Sequence, residues 1–142
     1  MPRHTPYAGV AAIFRSALEW GEPPRVFEDG AQIRDFVHAT DVARANVLAL
    51  EAAPDVAGAF NVASGERHTV GDMACAISAA FGPAAPRPRL TGEYRTGDVR
   101  HVFASPRRAR DVLGFEPAMS FADGMAEFAQ TSLEVRTAPG LA

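Results

Sequence analysis

The chain has 142 residues, is 47% hydrophobic and carries a net charge of -3, so it has enough apolar content for one buried core. The acidic balance argues against nucleic acid or a membrane surface as a partner, because both favour a basic face. No apolar run is long enough to span a bilayer, and no basic-then-apolar export leader is present. The single cysteine, Cys75, cannot form an internal disulfide. These features predict one soluble domain in the cytoplasm.

The first predicted element is a helix from about Gly9 to Trp20, with Gly21 where a C-terminal cap belongs. A short strand is predicted at 25–28. Asp29-Gly30 is a turn signal, which predicts that the chain returns as a second strand around Arg34.

That second strand is predicted to run directly into a helix at 41–52, capped by Thr40 or Asp41. Period-two alternation separates two faces of the strand, which carry Arg34, Phe36 and His38 on one side and Ile33, Asp35 and Val37 on the other. Asp35 is predicted to accept structural hydrogen bonds, and His38 to serve in packing. The helix has a broad apolar surface that must pack against something, while Arg44 and Glu51 are left for water.

The second half of the chain carries sequence signals for one strand followed by three helices. The near-continuous apolar run at 59–63 predicts a strand buried on both faces. Thr69 to Asp72 predicts a capping box for a helix that ends near Phe81 and holds Cys75 in the core. Further helices are predicted at 105–114 and from 120 onward. Residues 1–136 form the predicted domain, and 137–142 a frayed tail.

Residue types that are missing from the sequence exclude several chemistries. All 14 basic residues are arginine, so the chain has neither a phosphate-loop lysine nor a Schiff-base lysine. None of the 12 glycines falls into the spacing that presents a helix N-terminus to the pyrophosphate of NAD. The four histidines are too scattered to predict a metal site, and no pair of carboxylates stands out for acid–base work.

Four short motifs occur in a fixed order along the chain. They are Glu28-Asp29-Gly30 with the stretch 34–45, then 59–65, then Arg95-Thr96-Gly97-Asp98-Val99-Arg100, and Leu113-Gly114-Phe115-Glu116-Pro117. Together they resemble the extended short-chain dehydrogenase/reductases that epimerise or dehydrate nucleotide sugars with NAD, in particular those of the UDP-glucose 4-epimerase type. The resemblance runs from about Pro6 to about Phe128 and matches only the carboxy-terminal, sugar-nucleotide-binding part of such enzymes. It implies a small mixed α/β substrate-binding domain that lacks the nucleotide-binding Rossmann domain.

The resemblance implies that two arginines, Arg34 and Arg95, reach the diphosphate of the substrate. A planar guanidinium suits this role because its paired donors match phosphate oxygens. Asp98 would hold a ribose hydroxyl or orient the arginine, and Gly97 would let the backbone turn tightly between them.

Four apolar residues complete the implied site. Val26 and Phe27 would lie against the nucleotide base, although a core position for Phe27 is an equally open alternative. Val10 and Ala11, at the start of the first helix, would lie beside the sugar nucleotide, and a plain core helix explains them equally well.

The family's catalytic Tyr-x-x-x-Lys pair is absent, because Ala11 follows Tyr7 at that spacing and Asp98 follows Tyr94. We therefore expect no catalytic residue here and no NAD bound by this chain alone, although NAD is the cofactor of the intact family. The main hypothesis is that this chain is the substrate-binding portion of an epimerase/dehydratase. The alternatives are a non-catalytic sugar-nucleotide-binding module with a separate partner, such as a Rossmann domain or a second copy, and a truncated product without independent function.

Overall fold

The computed structural model describes residues 9–131, which form five helices and five two-residue strands. The predicted tail at 137–142 lies outside the described residues. The helices are α1 (Val10–Glu19), α2 (Ala39–Glu51), α3 (Val70–Ala80), α4 (Arg107–Leu113) and α5 (Phe121–Gln130); the strands are β1 (Arg25–Val26), β2 (Ile33–Arg34), β3 (His68–Thr69), β4 (Arg89–Leu90) and β5 (His101–Val102).

The strands form two small sheets, and their pairing corrects the predicted hairpin. β1 pairs in parallel with β4, whereas β2 lies between antiparallel β3 and parallel β5. Asp29-Gly30 does turn the chain, with φ +73° at Gly30. The connection is longer than a two-residue hairpin turn, and each strand finds its partners far along the chain, so β1 and β2 belong to different sheets.

The larger core cluster lies where α1, α3 and α5 pack around β1. Phe14, Val26, Met73 and Ile77 are almost completely buried in it, and partly buried α5 residues such as Phe121 pack against it. The predicted apolar face of α3 is thus confirmed. Cys75 is exposed, contrary to prediction. Cys75 lies two positions after Met73, which corresponds to a rotation of about 200° around the helix axis. Cys75 therefore points away from the face that carries Met73.

A smaller cluster joins α2, α4 and the segment 59–63, with Ala45, Ala109 and Phe115 buried at its centre. The predicted strand at 59–63 is not formed, and only Ala63 in it is buried. Its backbone makes no strand pairing with the described residues. A strand requires a neighbour that satisfies its N–H and C=O groups, and apolar composition alone cannot supply one.

Helix caps follow the local sequence in α3 and α5 but not in α2. Thr69 and Asp72 form the predicted capping box, and Ser120 caps α5 by accepting from the Asp123 N–H. Helix α2 begins two residues earlier than predicted. Its N-cap is His38, whose Nδ1 accepts from the backbone N–H of Thr40 at 3.3 Å. Neither Thr40 nor Asp41 is the cap.

Asp41 instead ties the start of α2 to the loop before α5. Asp41 is 3% exposed. Its carboxylate accepts the N–H groups of Ala118 and Met119 at 3.0 to 3.1 Å. Arg44 donates to it at 3.1 Å and also to the Glu116 carbonyl, so Arg44 is not simply left to water as predicted. Burial would raise the pKa of Asp41, but these hydrogen bonds hold it below 3.8.

We predict that Asp41→Asn lowers the free energy of unfolding by about 2 kcal/mol at neutral pH, because one of the two oxygens that accept buried backbone N–H groups becomes an NH2 donor and the charge paired with Arg44 is lost. Since the pKa of Asp41 is lower in the folded chain than the usual 3.8, this stabilisation is present above pH 3.8 and is lost as pH falls below it. Urea unfolding from pH 6 to pH 3 measures both effects. The exposed Asp55→Asn is the matched control, and equal stability of the two variants would contradict the prediction.

Candidate functional site

Arg34 stands on the central strand of the three-stranded sheet, and its side chain is held against the start of β5. Its Nη1 donates to the carbonyl of Ile33 at 2.8 Å and to that of Arg100 at 3.1 Å. Arg100 ends the loop 91–100, which carries the other two polar residues of the predicted site. The guanidinium of Arg34 is therefore in direct contact with the end of the loop that carries Arg95 and Asp98.

Within that loop, residues 95–98 form a tight turn. The backbone N–H of Asp98 donates to the carbonyl of Arg95 at 3.1 Å, and Gly97 has φ +89°. A positive φ at this position of a four-residue turn favours glycine, as the sequence predicted. Arg95 and Asp98 are both exposed at the ends of the turn, so their side chains face solvent.

Arg100 clasps the loop 91–100 to the loop 27–32 between β1 and β2. Its Nη1 donates to Glu28 at 2.7 Å and to Asp29 at 2.9 Å, while its Nη2 donates to the second oxygen of Asp29 at 2.7 Å. The hydrogen bonds from Arg100 lower the pKa of Asp29 to about 2. The two carboxylates in turn raise the pKa of Arg100 above its usual range. The pair therefore stays charged across the neutral range.

Glu93 makes a second connection between the same two loops. Its carbonyl accepts the N–H of Glu28 at 2.7 Å, and its carboxylate pairs with Arg25 of β1. Phe27 stands next to this connection and is partly buried. Four predicted site residues thus belong to β2 and two loops that contact each other: Phe27, Arg34, Arg95 and Asp98.

The other three predicted residues lie elsewhere. Val26 is fully buried in the larger core cluster, so its side chain offers no surface to a nucleotide base, contrary to prediction. Val10 is 41% exposed at the start of α1. Ala11 lines an open cavity of about 490 Å³, together with Phe36, His38, Phe121 and Phe128. The described lining of that cavity includes neither of the two predicted phosphate-binding arginines.

His38 has more contacts than the predicted packing role implies. Because its Nδ1 accepts from Thr40, the neutral ring carries its proton on Nε2, which lies 3.4 Å from Glu127. The side chain therefore joins the N-terminus of α2 to α5 at the cavity. Within 9–131 no group of three potential metal ligands occurs, which gives no support for a metal centre there.

Asp35 joins the strand of Arg34 to the motif at 59–65. Its Oδ1 accepts the backbone N–H of Ser64 at 2.9 Å and the Ser64 hydroxyl at 2.7 Å. The structural role predicted for this carboxylate is confirmed. Strand β2 thus ends with a phosphate-binding candidate, Arg34, and a structural carboxylate follows directly after it.

The sequence motifs assigned no role to Arg100 and only a packing role to His38. Arg100 closes the quoted motif Arg95-Thr96-Gly97-Asp98-Val99-Arg100, and the acidic pair Glu28-Asp29 lies at a predicted turn. Opposite charges at two predicted turns were the available signal for Arg100. The signal for His38 was its position directly before a helix, where a side-chain acceptor satisfies free N–H groups.

We predict that Gly97→Ala loosens the turn at 95–98, because an alanine at φ +89° is strained by about 1 kcal/mol. The Asp98 amide proton should then exchange with water about fivefold faster, a ratio that corresponds to that energy. Magnetisation transfer from water in NMR spectra measures the rate. Gly92→Ala, also at positive φ, is the control and should leave the Asp98 amide unchanged; an equal response of Asp98 to both variants would contradict a local effect.

Comparisons with known proteins bear on the family and the fold of this chain. Residues 2–63 match the model described as the NAD dependent epimerase/dehydratase family. The chain is 36% identical over 121 residues to the dTDP-L-rhamnose 4-epimerase of Burkholderia thailandensis, covering 85% of this chain and 33% of that protein. It is 38% identical over 129 residues to the UDP-glucose 4-epimerase of Mycolicibacterium smegmatis, covering 89% of this chain and 40% of that protein. The chain thus spans between a third and two-fifths of these relatives' length.

Solved structures of UDP-glucose 4-epimerases are similar to this chain in fold. The UDP-glucose 4-epimerase of Thermotoga maritima with UDP-glucose matches at a TM-score of 0.76 and 35% identity, covering 90% of this chain and 41% of that one. The UDP-glucose 4-epimerase of Thermus thermophilus in complex with NAD matches at a TM-score of 0.73 and 30% identity, covering 90% and 42%. The mixed α/β fold therefore resembles part of these epimerases.

Proposed function

We propose that this chain, a relative of the NAD-dependent epimerase/dehydratase family as its motifs predicted, is the portion that binds the nucleoside diphosphate sugar. The observation that carries the proposal is the contact between the Arg34 guanidinium and the backbone of the loop that holds Arg95 and Asp98. This contact joins the two arginine motifs in one region of the surface.

The charges suit a nucleoside diphosphate. Arg34 uses Nη1 for both of its backbone hydrogen bonds among the described residues, which leaves Nη2 and Nε as donors for a phosphate. Arg95 adds a second guanidinium from the exposed turn, and Asp98 supplies a carboxylate for a ribose hydroxyl. Because the Thermotoga relative was solved with UDP-glucose, we propose UDP-sugars as the substrate class.

We expect Arg34→Gln and Arg95→Gln each to weaken binding of UDP to the chain about tenfold, since each removes a charge-assisted contact to phosphate. Isothermal titration calorimetry with UDP measures the affinity. Arg107→Gln is the matched control, because it removes the same charge from an exposed position on α4. No binding of UDP to the unmodified chain, or unchanged affinity in both site variants, would overturn the proposal.

We propose that this chain contributes binding and that proton transfer and NAD binding need another part of the enzyme. The lysine of the catalytic pair is missing, and no glycine-rich pyrophosphate loop is present in the sequence. We therefore expect no epimerase or dehydratase turnover when the purified chain is supplied with NAD. Coupled assays across common nucleotide sugars measure turnover. Activity that disappears on changing a residue of this chain would reveal a different catalytic apparatus.

A second candidate function is a sugar-nucleotide-binding module that works with a separate partner, and the surface of α2 favours it. Val42, Val47 and Leu50 on this helix are 39%, 50% and 86% exposed. The neighbouring segment 59–63 has the composition of a strand and no strand beside it among the described residues. We propose that a partner domain with an open sheet edge covers α2 and pairs with 59–63.

Exposed apolar surface predicts that the isolated chain binds a fluorescent apolar-surface probe or self-associates. We expect the double variant Val47→Glu/Leu50→Glu to reduce both, because charge on α2 opposes burial of that face. Probe fluorescence and light scattering measure them. Val112→Glu on α4 is the control, since Val112 is 46% exposed on another surface. A monodisperse unmodified chain without probe binding and with a high melting temperature would contradict the prediction and favour a chain that closes its own core.

A further inference from the structure

We infer that Arg100 is a positioning residue for the diphosphate site: it fixes the turn at 95–98 relative to Arg34 without itself contacting phosphate. The inference rests on the proposed binding of a nucleoside diphosphate and assigns a role to a residue outside the predicted site. Arg100 is the point where three parts of that site meet. Its side chain binds the loop 27–32, its carbonyl accepts from Arg34, and its backbone continues the loop that carries Arg95.

The side chain of Arg100 makes a fork that leaves little freedom between the two loops. Two nitrogens bind the two oxygens of Asp29 side by side, and Nη1 also reaches Glu28. Such paired contacts fix the orientation of both partners as well as their distance. Movement of Arg100 would carry its carbonyl away from the guanidinium of Arg34.

The contacts of Arg100 with Glu28 and Asp29 form a clasp between the two loops. The backbone of Glu28 is strained, which indicates that the clasp holds it in place. Glu28 has φ +52° and is the only non-glycine residue at positive φ within the described part of the chain. A non-glycine residue in this region costs about 1 kcal/mol or more and persists where surrounding contacts determine it. For Glu28 those contacts are the Arg100 side chain and the Glu93 carbonyl.

Two observations favour positioning over direct contact with phosphate. Three of the five N–H donors of Arg100 already bind the carboxylates of Glu28 and Asp29, and these carboxylates offset the charge of Arg100. Those carboxylates, if freed, would also repel a diphosphate placed nearby. Because the guanidinium of Arg100 offsets part of the charge of Glu28 and Asp29, we expect these ion pairs to stay intact during binding.

The test distinguishes the effect of the clasp on UDP binding from the effect of the positive charge of Arg100. Glu28→Gln/Asp29→Asn keeps the cation but removes both ion pairs and the contact of Arg100 with two oxygens of Asp29, whereas Arg100→Gln removes the cation. Positioning predicts that both variants weaken UDP binding by about tenfold, because the arginines lose their preorganised geometry. They should leave the weaker binding of uridine, which has no phosphate, unchanged. Calorimetry with UDP and NMR titration with uridine give the two affinities, and Arg100→Lys should restore part of the UDP affinity.

The controls carry the same charge changes elsewhere: Arg107→Gln for the loss of a cation and Asp111→Asn/Glu116→Gln for the loss of two anions. Electrostatics alone predicts tighter UDP binding in Glu28→Gln/Asp29→Asn, since two negative charges are gone. UDP affinity equal to or tighter than that of the unmodified chain in this variant would overturn the inference. A parallel loss of UDP and uridine affinity would also overturn it, because that pattern belongs to general loss of structure.

A further measurement distinguishes failure of the inference from failure of the proposed function. If the unmodified chain does not bind UDP, the proposed function fails. Exchange of the Asp98 amide still decides whether the clasp orders the turn at 95–98. Faster exchange in Arg100→Gln, with the Arg107→Gln control unchanged, would support the positioning of that turn, and unchanged exchange would overturn it.

Discussion

Two carboxylates, Asp35 and Asp41, accept backbone N–H groups from distant parts of the chain, and much of the structure depends on these contacts. Asp35 takes the N–H of Ser64, and Asp41 takes those of Ala118 and Met119. Each described strand has two residues, so sheet ladders satisfy few backbone groups. Side-chain acceptors on the short segment 35–41 therefore hold together segments that a larger sheet would otherwise organise.

The helices could be predicted from the sequence because their signals are local. The capping box at Thr69, the cap at Ser120 and the glycine after α1 all act within one helical turn. Helix α2 shows the limit of such signals. Three residues close together in sequence, His38, Thr40 and Asp41, each offer an acceptor. The choice among them depends on contacts with Glu127 and Ala118 far along the chain.

Strands and their pairing could not be predicted to the same degree, because a strand is defined by its neighbour. Residues 59–63 have suitable side chains but no strand beside them within 9–131, whereas the more polar His68–Thr69 pairs with β2. The burial of Val26 has the same origin. Its place beside β4 and under α3 results from tertiary contacts that alternation along one strand does not encode.

The candidate site was predicted in part, for a related reason. Arg34 and the turn at 95–98 are contained in short motifs, and the turn needs only Gly97 and one hydrogen bond. The contact of Arg34 with Arg100 arises because β2 pairs with β5, which brings the end of the loop 91–100 to Arg34. The clasp by Arg100 depends on that pairing too, so no local pattern could have assigned its partners.

The two surfaces for which functions are proposed use different elements, but a short path along the chain and across one hydrogen bond connects them. The proposed diphosphate site uses β2 and the loops 27–32 and 91–100, and the apolar surface uses α2 and 59–63. Ser64 follows the latter segment directly and binds Asp35, the residue next to Arg34. A partner that ordered 59–63 would therefore act on the strand of Arg34 through one hydrogen-bonded carboxylate. Such a contact gives a physical route by which partner binding and diphosphate binding would be coupled, with the same coupling free energy in both directions.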